Sequence, residues 1–161
     1  MRFISSMIVF LLPMVALSKE PNMDILKEAS IFTLGSGKTE LYLFIDPSCH
    51  YCTDYYLQLV SHNLDQYAIH VIPYNSGKDK RLTAAYEWIL EPHADRKKRM
   101  FVAMKDFKSF GKSGLSKEVR PFFVKAKAAD VEIGLPGLPS LYDDKGKMIE
   151  DHYGALNISM K

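Results

Sequence analysis

The chain has 161 residues, with 21 basic and 19 acidic side chains and a formal net charge of +2. That length suits one domain around one core. So balanced a charge excludes a global electrostatic pull toward nucleic acid or a membrane surface. The two cysteines, Cys49 and Cys52, are too few for a zinc site built from cysteine alone.

The N-terminus reads as a secretory signal. Arg2 supplies a positive start, Phe3 to Leu12 is almost wholly apolar, and Pro13 interrupts the run. Ala16 and Ser18 are small residues spaced as at a cleavage site, so residues 1–18 are expected to be removed and residues 19–161 to form the mature domain. A membrane span needs roughly 20 apolar residues, more than this stretch offers. No cysteine follows the run, so no lipoprotein anchor is indicated. Without Arg2 the count becomes 20 basic against 19 acidic, a net charge of +1. Export places the cysteines in an oxidising compartment.

Asn22 to Ala29 reads as a short amphipathic helix, with Met23, Ile25 and Leu26 apolar. Ser30 to Leu34 is a first strand. Gly35 to Lys38 is a glycine turn, expected to close a hairpin. Gly35 to Thr39 also carries part of a phosphate-binding loop, but Phe32 stands where that pattern needs glycine, and a strand follows where it needs a helix. Glu40 to Asp46 is the second strand, apolar on both faces as a central strand should be. A helix runs from the cysteines to Leu64, with Tyr56, Leu59, Val60 and Leu64 on its apolar side.

Tyr67 to Tyr74 is the third strand, which Pro73 should end because proline donates no ladder hydrogen bond. Leu82, Ala85, Tyr86, Ile89 and Leu90 mark one face of a helix, stopped at Glu91-Pro92. Ala94 to Phe107 is a further helix, with Met100, Met104 and Phe107 on one side. Its basic run, Arg96 to Arg99, lies close in sequence to Lys78, Lys80 and Arg81 and reads as a solvated face, with docking of an acidic partner as the alternative. Gly111 and Gly114 break the chain. Ser116 to Ala129 is helical, with Pro121 in its first turns or at a kink. Gly134 to Ser140 leads into a short strand at Leu141-Tyr142. Asp143 to Gly146 is a hairpin turn, and Lys147 to Asp151 returns as a strand. Gly154 to Lys161 leaves room for a short helix, and Asn157 to Ser159 fits a glycosylation sequon. The aromatics Tyr55, Tyr56, Trp88, Phe101, Phe107, Phe110, Phe122 and Phe123 are expected mostly in the core, a few rimming a groove near the cysteines. The element order implies an α/β fold, a mixed sheet flanked by helices.

Cys49-His50-Tyr51-Cys52 carries the chemistry. It stands where a buried strand gives way to a helix, so Cys49 sits at a helix N-terminus, whose unpaired N–H groups favour thiolate over thiol. Exchange with a disulfide needs one exposed, low-pKa thiolate to attack and a second thiol to resolve. Cys49 fits the nucleophile and Cys52, a turn further in, the resolving thiol. As half of a zinc site the pair lacks partners. As a structural staple it closes too small a loop to constrain the unfolded chain much.

Phe44-Ile-Asp-Pro-Ser-Cys-His-Tyr-Cys52, together with Gly137-Leu-Pro-Ser140, resembles the catalytic domain of thioredoxin-fold Dsb proteins, especially the DsbC/DsbG type of periplasmic disulfide isomerase. The resemblance spans roughly residues 22 to 154. It implies a thioredoxin-like fold with a helical insertion and a disulfide isomerase or reductase acting on cysteines of secreted proteins. It also implies a membrane or soluble redox partner that resets Cys49 and Cys52, and a periplasmic location. It assigns Leu138-Pro139 a cis bond opposite the cysteines, with the backbone of Leu138 offered to an extended substrate as an added strand. By spacing alone that bond would be read as trans, and Pro136 would compete with Pro139. The resemblance calls for no metal, cofactor or nucleic acid.

His50 stands where the isomerases tend to have a small residue or proline, and Leu138 where threonine is frequent. With Tyr51, these positions tune redox potential and substrate choice. His50 either faces solvent or, protonated, stabilises the Cys49 thiolate and makes the pair more oxidising. A dimerisation domain has no room before the first strand, which favours a monomer, or a dimer built some other way. An oxidase of the DsbA kind, and a thioredoxin-fold binding or chaperone module without turnover, are the alternatives.

Overall fold

A computed structural model of the chain describes residues 20–74, 79–114 and 116–150. The expected signal segment, the C-terminal helix and the sequon lie outside the described residues.

Five strands form one mixed sheet: β1 (Phe32–Leu34), β2 (Thr39–Ile45), β3 (Tyr67–Pro73), β4 (Ser140–Tyr142) and β5 (Met148–Glu150). Their order across the sheet is β1-β3-β2-β4-β5. β2 runs parallel to β3 and antiparallel to β4. β1 is antiparallel to β3, and β4 and β5 form the expected hairpin. Successive side chains of a strand alternate between faces, so central β2 feeds two cores. Leu41, Leu43 and Ile45 enter one with Ile69 and Val71, while Tyr42 and Phe44 enter the other with Ile72 and Tyr142.

The first core is covered by α2 (His50–Val60), α3 (Lys80–Ile89) and α4 (Arg96–Lys105). The second is covered by α1 (Met23–Ala29) and α5 (Arg120–Ile133). The predicted α3 face is fully buried, from Leu82 through Leu90. Side-chain oxygens of Asn22, Asp79 and Asp95 cap α1, α3 and α4, each accepting an N–H that the first turn leaves unpaired. α5 ends on Gly134 at φ 66°, the left-handed position glycine adopts without a Cβ clash.

Several sequence expectations are corrected. Gly35 to Lys38 is not a hairpin turn, because β3 lies between β1 and β2. The segment instead crosses the start of β3, where Gly37 N–H donates to Tyr67 O (2.9 Å) and Thr39 N–H to Gln66 O (3.1 Å). Glycine is needed for contact, since a Cβ on Gly37 would lie 2.0 Å from the Gln66 carbonyl carbon and one on Gly35 2.3 Å from Tyr67 O. The α2 helix stops at Val60, which is exposed, and buries Tyr55 in its place. α4 ends at Lys105, and Phe107 opens a separate single 3-10 turn, Phe107–Ser109. α5 begins only at Arg120, so Pro121 sits in its first turn, where its missing N–H costs nothing. The basic run is not simply solvated. Arg96 donates to Ile31 O (2.8 Å), and Arg99 bonds Trp88 O and Glu91.

Candidate active site

The end of β2 aims Asp46, Pro47 and Ser48 toward α2, and Cys49 is the N-cap of that helix. At an N-cap a side-chain acceptor meets the free N–H groups of the first turn. Here the acceptor is sulfur: Cys52 N–H donates to Cys49 Sγ at 3.4 Å. No acidic residue occupies the first turn of α2, so the positive helix end is left to Cys49. Cys49 is half-buried, and Cys52 is completely buried.

The two thiols are driven apart in acidity. Hydrogen bonding from the Cys52 thiol, joined by the N–H groups of Cys52 and Tyr51, lowers Cys49 from 9.0 to about 6 against the opposing effects of burial and of the Asp46 carboxylate. At pH 7 such a group is about nine-tenths thiolate, against about one per cent at its ordinary value. Cys52 moves the other way, far above the usual thiol range, because it donates to Cys49, is buried and faces the Cys49 charge. One sulfur is therefore ionised and reachable, and the other protonated and enclosed. Such a pair can attack a disulfide and hold the second thiol in reserve.

The Leu138-Pro139 bond is cis. Leu138 O lies 4.0 Å from Cys49 Sγ, so the loop entering β4 faces Cys49 directly. Pro139 is buried and Leu138 half-buried. His50 and Tyr51 point outward. The His50 side chain is 82% exposed, with Nε2 3.4 Å from Asp54 Oδ2, and Tyr51 is 61% exposed beside it. The structure thus gathers Cys49, Cys52, Leu138 and Pro139 into one place, with His50 and Tyr51 on its outer rim.

Sequence reasoning noted Asp46 only for its place in the motif. Its carboxylate is buried, and Oδ1 accepts both Ser48 N–H and Ser48 Oγ–H at 2.6 Å. Burial raises its pKa against those two bonds. A carboxylate closing an apolar strand was the available signal. Tyr86, fully buried, donates to Ile45 O (3.1 Å), fixing the strand end beneath the site. Among the described residues no group of three or more His, Cys, Asp or Glu side chains could hold a metal ion.

No protein-family model matches the chain, and no curated protein matches its sequence. Solved structures do. ScsC from Proteus mirabilis aligns with a TM-score of 0.57 at 18% identity, over 80% of this chain and 71% of that one. The oxidoreductase DsbA from Xylella fastidiosa aligns at 0.54 and 17%, over 73% and 79%. A disulfide interchange protein from Neisseria gonorrhoeae aligns at 0.53 and 20%, over 81% and 90%. With its mixed sheet, its CxxC pair at the start of α2 and its cis proline before β4, the chain has a thioredoxin-like fold.

Proposed function

We propose that the chain is an exported thiol–disulfide oxidoreductase acting on cysteines of secreted proteins. The observation that carries this reading is the split between an ionised, half-exposed Cys49 and a protonated, buried Cys52 at one helix N-terminus. In the reductive direction the Cys49 thiolate attacks a substrate disulfide. A mixed disulfide forms and one substrate thiolate leaves. Cys52 then loses its proton and attacks Cys49 Sγ, which releases the second substrate thiolate and leaves Cys49–Cys52 oxidised. Two electrons pass to the substrate, and a membrane or soluble dithiol partner restores the pair. Run backwards, the same steps oxidise a substrate dithiol. Isomerisation needs only the first step and its reversal at a different substrate cysteine.

The Leu138 backbone and Pro139 form the substrate groove in this reading, and His50 and Tyr51 tune the exchange. The location is the periplasm, reached through a cleaved signal at residues 1–18, and the protein works as a monomer on protein substrates. Among the described residues no helix is long and apolar enough to cross a membrane. Similarity to solved proteins named as oxidoreductase and disulfide interchange protein supports the general chemistry. The isomerase or reductase assignment rests on the sequence resemblance to the DsbC/DsbG group.

A Cys49 pKa of about 6 lies between the values near 3.5 of a strong oxidant and near 7 of thioredoxin. The Cys49–Cys52 potential is accordingly expected between about −120 and about −270 mV. Equilibration with glutathione measures it, and a value below that range would overturn the assignment of Cys49 as a stabilised thiolate. Insulin reduction and refolding of scrambled ribonuclease test turnover. Inactivity in both, with a cellular phenotype that survives Cys49→Ser, would indicate a binding module instead.

A further inference from the structure

Beside Cys49 lies a cleft of about 500 Å³ that the dithiol chemistry does not use. Its walls come from segments far apart in sequence. Ser48, His50 and Thr53 belong to the cysteine loop and α2, while Met104 and Phe107 belong to the end of α4 and the 3-10 turn. Thr53 Oγ lies 3.2 Å from Cys49 O and 3.5 Å from Met104 O, which ties the two walls together. Met104 is 4% exposed and forms an apolar floor with the half-buried Phe107. The Phe107 ring is held by Phe110, at 6.5 Å between centroids, and by the Arg81 guanidinium at 5.8 Å. The rim carries both signs of charge, Asp54 and Asp106 against Lys105 and Lys108. Charge therefore selects little here, and the apolar floor sets what fits.

The sheet order places this cleft and Leu138 on opposite flanks of Cys49. Leu138 leads into β4 on one side of β2, and α4 packs against α2 and β1 on the other. For an extended peptide that runs beside Leu138 and presents a sulfur to Cys49, the way across Ser48 and His50 leads into the cleft. Side chains of an extended chain alternate, so the residue two positions from the sulfur, about 7 Å along, faces the protein again.

We propose that this cleft is a specificity subsite that receives an apolar side chain, aromatic or long aliphatic, two residues from the substrate cysteine on the side directed away from Leu138. The inference rests on Cys49 being the attacking thiolate. It is tested with the full chain carrying Cys52→Ser, which cannot resolve the mixed disulfide. Single-cysteine peptides, activated as mixed disulfides with thionitrobenzoate, carry Phe, Leu, Ser or Asp two residues before or after the cysteine. Cys49 attacks the peptide sulfur, a Cys49–peptide disulfide forms, and coloured thionitrobenzoate leaves as the thiolate. Phe or Leu on one side of the cysteine is expected to react about tenfold faster than Ser, from partial burial of that side chain. Adding Phe107→Ala is expected to abolish most of that preference, while the rate with the small symmetric disulfide of thionitrobenzoate stays unchanged. Equal rates for all peptides overturn the subsite and leave the dithiol reading intact. A preference that survives Phe107→Ala also overturns it, since the selecting surface would then lie elsewhere. Should that variant fail the small-disulfide control, the peptide series on the Cys52→Ser chain still decides. No reaction with any disulfide overturns the dithiol reading itself.

Discussion

Replacing Cys52 with alanine separates the two sources of Cys49 acidity. The variant keeps the backbone N–H that donates to Cys49 Sγ at 3.4 Å and removes the thiol, the largest single contribution to the lowered pKa. A hydrogen bond to a charged group is worth about 1.5–3 kcal/mol, and a thiol is a weak donor, so the lower end applies. That is about one pKa unit, which moves Cys49 from about 6 to about 7. At pH 6 the thiolate fraction falls from about one half to about one tenth. A more basic thiolate is also more nucleophilic, by about threefold per unit at a Brønsted coefficient near 0.4–0.5. The rate of attack on a small disulfide should thus fall about twofold near pH 6 and rise about threefold near pH 9, so the two pH profiles cross. Ultraviolet thiolate absorbance gives the midpoint directly, and stopped-flow mixing gives the rates. A midpoint within about 0.3 unit of the parent would refute the reasoning and assign the acidity to the helix N–H groups alone.

Asp46→Asn should lower the Cys49 pKa further, because the Asp46 carboxylate opposes the thiolate, and glutathione equilibration should show a more oxidising pair. A more reducing pair would contradict this. Burial holds the Asp46 pKa above its ordinary value, so its contribution to stability is complete below the unfolded pKa and is lost as pH rises through the folded one. The asparagine Oδ1 still accepts from Ser48, so the variant should melt at a higher temperature at neutral pH. His70 is buried, with Nδ1 3.2 Å from Thr33 Oγ, and burial lowers its pKa despite Glu40 at 3.8 Å, with the Lys27 charge acting in the same direction as burial. The unfolded chain therefore takes up this proton first. Stability should be complete above about pH 6.5 and fall below it by up to about 1.4 kcal/mol per pH unit. Urea midpoints near pH 7.5 and pH 5 measure the slope, and His70→Gln should flatten it. Gly37→Ala places a Cβ 2.0 Å from the Gln66 backbone, which should cost about 1–3 kcal/mol or more; an unchanged melting temperature would show that the crossing loop moves freely.

Much of the site was legible because its signals are local. The apolar run of β2, the spacing of Cys49 and Cys52 and the helix after them are neighbours in sequence. They suffice to place one thiol at a helix N-terminus and the other a turn deeper. The α3 face from Leu82 to Leu90 and the hairpin over Asp143 to Gly146 were readable for the same reason, since periodicity and turn chemistry act over a few residues. The cis Leu138-Pro139 bond came from family resemblance, as nothing in local spacing distinguishes it from trans or from Pro136.

The sequence by itself therefore determined most of the elements, the buried face of α3 and the place of the cysteine pair where a buried strand gives way to a helix. Tertiary structure alone decided that β3 inserts between β1 and β2, which turned an apparent hairpin at Gly35 to Lys38 into a crossing packed on the Gln66 backbone. It decided that Leu138 O comes within 4.0 Å of Cys49 Sγ across 89 residues of chain. It also brought Met104 and Phe107 beside His50 to make a cleft. Strand partners and cleft walls are chosen by burial and hydrogen bonding between segments distant along the chain, and each such contact depends on how the whole sheet is ordered.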